Sequence, residues 1–172
     1  IEISEEHFAS NLIRGRLLAL ARFWGRGTGP LALLACAPGE LHDITLLAFA
    51  LVLRSHSWRI LFLGADTPIA TLARAADTTR PALVVVSSFD PALLEAEATG
   101  LRRLARAVPL ALAGPGATDE LSARLGARPP SSPVATTVTQ TWPLRRSSIV
   151  APKMMFVSSR APRRTTSAAS FT

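Results

Sequence analysis

Residues 31–68 read LALLACAPGELHDITLLAFALVLRSHSWRILFLGADTP, and their pattern decides the fold. LALLACA (31–37) and RILFLG (59–64) are short apolar runs without polar alternation, as expected of strands covered on both faces. Between them, residues from about 41 to 56 carry apolar side chains over a length that suits a helix. Strand, helix and strand at this spacing make a βαβ unit, which implies a parallel sheet with right-handed crossovers.

The alternation continues. ALVVVSS (82–88) and PLALAG (109–114) read as two further strands, and helices are expected at about 68–79, 92–106 and 117–125. The expectation is a flavodoxin-like, doubly wound α/β domain with a Rossmann-like parallel sheet over residues 29–127. On the N-terminal side, residues 3–26 read as one helix. Phe8, Leu12, Ile13, Leu17, Leu20 and Phe23 recur at helical spacing, Ser4, Glu5 and Glu6 make an acidic first turn, and GRGTGP ends the pattern. After Gly126 the periods give way to Pro, Ser, Thr and Arg. Residues 128–172 are expected to be disordered, apart from a candidate edge strand near 134–139.

The net charge of +7 on 172 residues belongs to that tail, which holds Arg128, Arg145, Arg146, Lys153, Arg160, Arg163 and Arg164 and no acidic residue. The first 127 residues are balanced, with 12 basic and 12 acidic side chains, so the body carries no nucleic-acid footprint. Every apolar run is broken short of the roughly 18 residues of a membrane span. IEISEEHF is acidic where a secretory signal is basic, and without an initiator Met the chain is expected to begin inside a longer protein. The single cysteine, Cys36, lies within LALLACA, which predicts a buried structural thiol and fits a reducing cytoplasm.

In an open α/β sheet, ligands bind beyond the carboxyl ends of the strands, at the switch point of strand order. Four segments gather there: Pro38–Thr45, Gly64–Pro68, Ser87–Pro91 and Gly114–Gly116. With a 2-1-3-4-5 order, His42 and Ser87 are expected to face each other across one crevice. Taken singly, each has an ordinary reading. His42 suits a solvated first helical turn, Ser87 and Ser88 suit a strand end, and His56 suits a helix C-terminus. Gly114-Pro115-Gly116 lacks the Lys-Ser/Thr of a phosphate loop and does not follow the first strand. A response-regulator-like module is a third possibility, but Glu40 and Asp43 substitute poorly for its acidic pair. No Ser-His-Asp set, zinc spacing or paired carboxylates occur, so the chain is not expected to be an enzyme through side chains alone. Any reactive chemistry would be a cofactor's.

GELHDIT, LGADTP, VVVSSF and LAGPGA, in this order, resemble the cobalamin-binding domain of corrinoid proteins, whose pattern is Asp-x-His-x-x-Gly, then Ser-x-Leu, then a Gly pair. The resemblance implies that His42 is the lower axial ligand to cobalt, with Glu40 as the partner of its imidazole. Asp43, Thr45, Ser87, Gly114 and Gly116 would line the site. Thr45 stands where the family has Gly, Phe89 where Leu is usual, and Ala113 replaces one glycine.

Glu6-His7, in EEHFASNLIRGRLLAL, further resembles the Glu-His pair of light-sensing MerR-type transcription regulators of the CarH and LitR group. There the pair packs near the upper ligand of adenosylcobalamin. The resemblance covers residues 1–127 and implies that residues 1–28 are the end of a helical bundle. It also implies a sensor that oligomerises in the full-length protein and binds DNA through a helix-turn-helix domain outside this chain. The alternative it leaves open is a corrinoid-carrying part of a methyltransferase or mutase.

Overall fold

The computed structural model describes the backbone of residues 3–127 and the side chains of residues 8–127. Helix α1 (Ile3–Leu20) runs into a 3-10 turn (Ala21–Phe23). There follow β1 (Leu31–Cys36), α2 (Ile44–Ser55), β2 (Arg59–Gly64), α3 (Ile69–Thr79) and β3 (Leu83–Ser87). The chain continues through α4 (Pro91–Ala96), α5 (Ala98–Ala107), β4 (Leu110–Ala113) and α6 (Asp119–Leu125). The strands pair in parallel in the order β2-β1-β3-β4, so the doubly wound expectation holds over the described residues. The edge strand expected near 134–139 and the tail lie outside them.

Each strand feeds two cores because successive side chains point to opposite faces. Leu33, Ala35, Val84, Val86, Leu110 and Leu112 pack with α3, α5 and α6 through Leu72, Leu101, Leu104, Leu121 and Leu125. Ala32, Leu34, Cys36, Leu83, Val85 and Ala111 pack on the other face with Leu46, Leu47, Phe49, Leu53, Trp24 and Trp58. Burial of both faces explains the uninterrupted apolar runs.

Local signals end the elements. Asp90 caps α4 by accepting from the Ala92 N–H at 2.8 Å, with Pro91 in the first turn, and Thr118 caps α6 by accepting from Leu121 N–H at 3.1 Å. The single helix expected at 92–106 is two, broken at Glu97. The helix expected over 3–26 ends its α-helical part at Leu20. Its apolar positions also differ from a core face. Phe8, Leu12, Ile13, Leu20 and Phe23 are exposed, while Leu17, Ala21 and, after the 3-10 turn, Trp24 rest in or against the core.

The topology locates the crevice. β1 leads to β2 on one side, and β3 lies on the other, so the loops after β1 and β3 diverge at the switch point.

Candidate cofactor site

The loop after β1 folds back tightly. Gly39 takes φ +80°, a conformation that favours glycine, and the Glu40 N–H donates to the Ala37 carbonyl at 3.0 Å. This turn drives the Glu40 side chain inward, where it is only 3 % exposed. A buried carboxylate is costly unless donors surround it, and here they do. Oε1 accepts from the His42 N–H at 2.8 Å and lies 2.7 Å from His42 Nδ1. Oε2 accepts from the Phe89 N–H at 2.6 Å, and Ser88 Oγ is 3.4 Å away. Burial pushes the Glu40 carboxyl pKa up, but the hydrogen bonds from Phe89 N–H, His42 N–H and the imidazole outweigh it, and the net shift is downward. Glu40 is therefore an ionised acceptor at neutral pH.

That fixes the imidazole. An ionised carboxylate only accepts, so Nδ1 carries the proton and donates, and in the neutral ring the lone pair is on Nε2. The His42 side chain is 75 % exposed although one of its nitrogens is anchored, and Nε2 makes no hydrogen bond with a described residue. A histidine held this way is the arrangement of a metal ligand whose second nitrogen is bound to a carboxylate. The Phe89 ring lies 5.2 Å from the imidazole, tilted by 50°, and Leu41 and Phe89 present exposed apolar surface beside it. Among the described residues no three or more His, Cys, Asp or Glu gather as ligands for a metal held by protein alone.

Further groups support the turn. Asp66, after β2, takes φ +46°, and its N–H donates to the Glu40 carbonyl at 2.8 Å while its Oδ1 accepts from Gly39 N–H at 2.7 Å. Asp43 is 1 % exposed, and both its oxygens accept from Arg14 of α1: Nε lies 2.9 Å from each, and Nη2 lies 2.8 Å from Oδ2. This pair holds the Arg14 pKa up, chiefly through the hydrogen bond. Cys36 is fully buried beneath the turn, as expected, and burial pushes its thiol pKa up to about 12.

The crevice's other wall is a backbone-to-backbone contact. Ser88 N–H donates to the Ala113 carbonyl and Gly116 N–H to the Ser88 carbonyl, both at 3.0 Å. Gly114 has φ +88°, and a Cβ there would strike the Ser88 carbonyl oxygen. A Cβ on Gly116 would come within 2.8 Å of the Asp90 carbonyl carbon. Glycines at both positions let the loops after β3 and β4 touch.

The structure thus gathers Glu40, His42 and Asp43 in one turn, with Ser87, Gly114 and Gly116 on the adjoining strand ends. Ser87 is buried beside Gly114, and the β3-loop residue whose ring meets His42 is Phe89. Thr45 is half-buried in the first turn of α2, where helical backbone accommodates a side chain without a left-handed conformation. The Glu6 and His7 side chains lie outside the described residues. The sequence reading missed Arg14, Asp66 and the Phe89 N–H. Asp66 stands in the quoted LGADTP, but Arg14 is 29 positions from its partner and has no local mark.

The chain is 37 % identical over 127 residues to the HTH-type transcriptional repressor CarA of Myxococcus xanthus, covering 72 % of this chain and 44 % of that protein. It is 34 % identical over 112 residues to the HTH-type transcriptional repressor CarH of the same organism, covering 65 % of this chain and 38 % of CarH. The chain therefore spans less than half the length of the curated relatives it matches. No protein-family model matches it. Its fold resembles a cobalamin-binding protein from Desulfitobacterium hafniense (TM-score 0.53, 16 % identity, 81 % of this chain and 71 % of that one). It also resembles the monomethylamine corrinoid protein of Methanosarcina barkeri (TM-score 0.58, 21 % identity, 76 % and 65 % of the two chains). At these identities the structural likeness is one of fold. Over the stretch it shares with CarA and CarH, the chain is similar to these HTH-type repressors, and its body is built on the α/β fold also found in cobalamin-binding proteins.

Proposed function

We propose that this chain is the cobalamin-binding sensor module of a transcriptional regulator, with His42 as lower axial ligand to cobalt. The observation that carries the reading is His42 itself: an exposed imidazole at the switch point, with Nδ1 held 2.7 Å from a buried carboxylate and Nε2 free. The donor set fits a corrin, which brings its own four equatorial nitrogens and needs one imidazole from the protein. Leu41 and Phe89 supply apolar surface for the ring's lower face, and Glu40 raises the basicity of the ligand by accepting from it. Asp43, Thr45, Ser87, Gly114 and Gly116 complete the proposed lining. When adenosylcobalamin is the form bound, it supplies a cobalt–carbon bond that light breaks.

The kinship with two repressors at 34–37 % identity supports a regulator over a corrinoid carrier of an enzyme. On this reading α1 belongs to a helical bundle above the corrin, residues 1–28, with Glu6 and His7 near the upper ligand. DNA binding and oligomerisation are properties of the longer protein, in which a bistable assembly is biased by the ligand. No described helix is long and apolar enough to cross a membrane.

Mixing the chain with adenosylcobalamin in the dark and recording visible spectra before and after illumination tests the proposal. Retention of the corrinoid and a light-dependent spectral change are expected. His42→Ala should lose the imidazole-ligated spectrum, and an unchanged spectrum would refute the ligand assignment.

A further inference from the structure

We propose that Arg14 is a positioning residue for His42, and that through Asp43 it couples the docking of α1 to the placement of the imidazole. The inference rests on the cobalamin reading. Asp43 adjoins His42 and occupies the N-cap of α2, where an Asp ordinarily accepts from the N–H groups of its own first helical turn. It makes no such bond. Its carboxylate is turned to α1, where Arg14 holds both oxygens at 2.8–2.9 Å, and its backbone is in the αR region (φ −95°, ψ −7°) instead of the extended region of a capping residue.

Two features make this pair a coupling and not an ordinary surface bridge. Asp43 is buried, so it must keep a partner. Helix α1 itself buries little else: among its described apolar side chains only Leu17 reaches the core, and the next anchors, Ala21 and Trp24, lie in and just after the turn that follows. If α1 lifts, Asp43 loses Arg14, and the free N–H groups at the start of α2 become its nearest alternative. Taking them requires the Asp43 backbone to leave αR, which rotates the peptides beside His42. The imidazole, anchored to Glu40 on its other side, is then pulled away from its docked placement. Coupling of this kind is reciprocal: a ligand that fixes His42 also favours the docked α1.

The test uses the full chain, hydroxocobalamin as probe, visible spectra for axial ligation and amide hydrogen exchange as a readout independent of ligand. Arg14→Met should increase exchange in α1 and in residues 44–47 and weaken hydroxocobalamin binding by roughly tenfold or more, the scale on which partners of a ligating histidine act. Because Arg14→Met leaves a buried charge, Arg14→Met/Asp43→Asn is the companion variant; it should fold while retaining the exchange and binding defects. Wild-type affinity in the double variant, with α1 still exchanging fast, would overturn the coupling. So would unchanged exchange at 44–47 in Arg14→Met. If the unaltered chain retains no hydroxocobalamin, the cobalamin reading fails instead, and the exchange comparison still decides whether Arg14 holds the His42 turn.

Discussion

Helices α1 and α2 lie next to each other and both carry large apolar side chains, those of α1 spaced among charged residues and those of α2 nearly continuous, and they meet opposite fates. In α2, Leu46, Leu47, Phe49, Ala50 and Leu53 are buried against the sheet. In α1, Phe8, Leu12, Ile13 and Leu20 stand exposed, and Arg14 provides the most specific tie to the body. Periodicity therefore reports that a helix has an apolar face, not what covers it. α2 follows β1 through a short turn, and the right-handed crossover leaves it nowhere to lie but on the sheet. No such constraint acts on α1, which precedes the sheet.

Substitutions should separate the two helices sharply. Leu47→Ala removes a fully buried side chain and is expected to cost about 2–5 kcal/mol in urea unfolding, whereas Leu12→Ala should stay within about 0.5 kcal/mol. A comparable loss from both would mean that α1 is packed as firmly as α2.

Alkaline pH gives a second contrast, because the α2 side of the core holds Cys36. Its native pKa, about 12 against an ordinary 9.0, is raised, so the neutral thiol is favoured by folding. That stability is complete below pH 9 and is lost as pH climbs toward 12, at up to roughly 1.4 kcal/mol per unit. Unfolding followed by α2 signals against pH would reveal the slope, and Cys36→Ala should flatten it. Rapid alkylation of the native thiol at pH 8 would contradict its burial.

Smaller effects belong to the site. Gly114→Ala forces a Cβ onto the Ser88 carbonyl at a positive φ and should destabilise by about 1–3 kcal/mol, measured by thermal unfolding. His42→Ala removes a largely exposed ring and should leave stability within about 0.5 kcal/mol, while abolishing the proposed corrinoid ligation. A large stability loss from His42→Ala would recast the histidine as structural.

Much of this was legible in sequence. The strands lie within a residue or so of their apolar runs, since parallel strands buried on both faces leave an unbroken signature. The order β2-β1-β3-β4 is the flavodoxin-like one that the sequence reading took as its condition, and it brings Glu40 and His42 to the β3 loop, against Ser88 and Phe89 where Ser87 was expected. What was not legible depends on distance. Asp43 before an apolar helix reads as an N-cap, and only the fold brings Arg14 to claim it. The Phe89 N–H, as a backbone donor, carries no side-chain signal at all. Glu97 interrupts a helical period that its neighbours maintain.

Glu40 has a consequence of its own. One oxygen is bound to the imidazole and the other to the main chain after β3, so a single carboxylate ties the histidine to the gap between two strands. Spreading β1 from β3 would lengthen the Phe89 bond, concentrate negative charge on the oxygen facing His42 and make the imidazole a stronger electron donor; drawing the strands together would do the reverse. The spacing of the sheet would thereby reach the donor strength of the histidine, and through it the electronic state of the metal that His42 is proposed to hold.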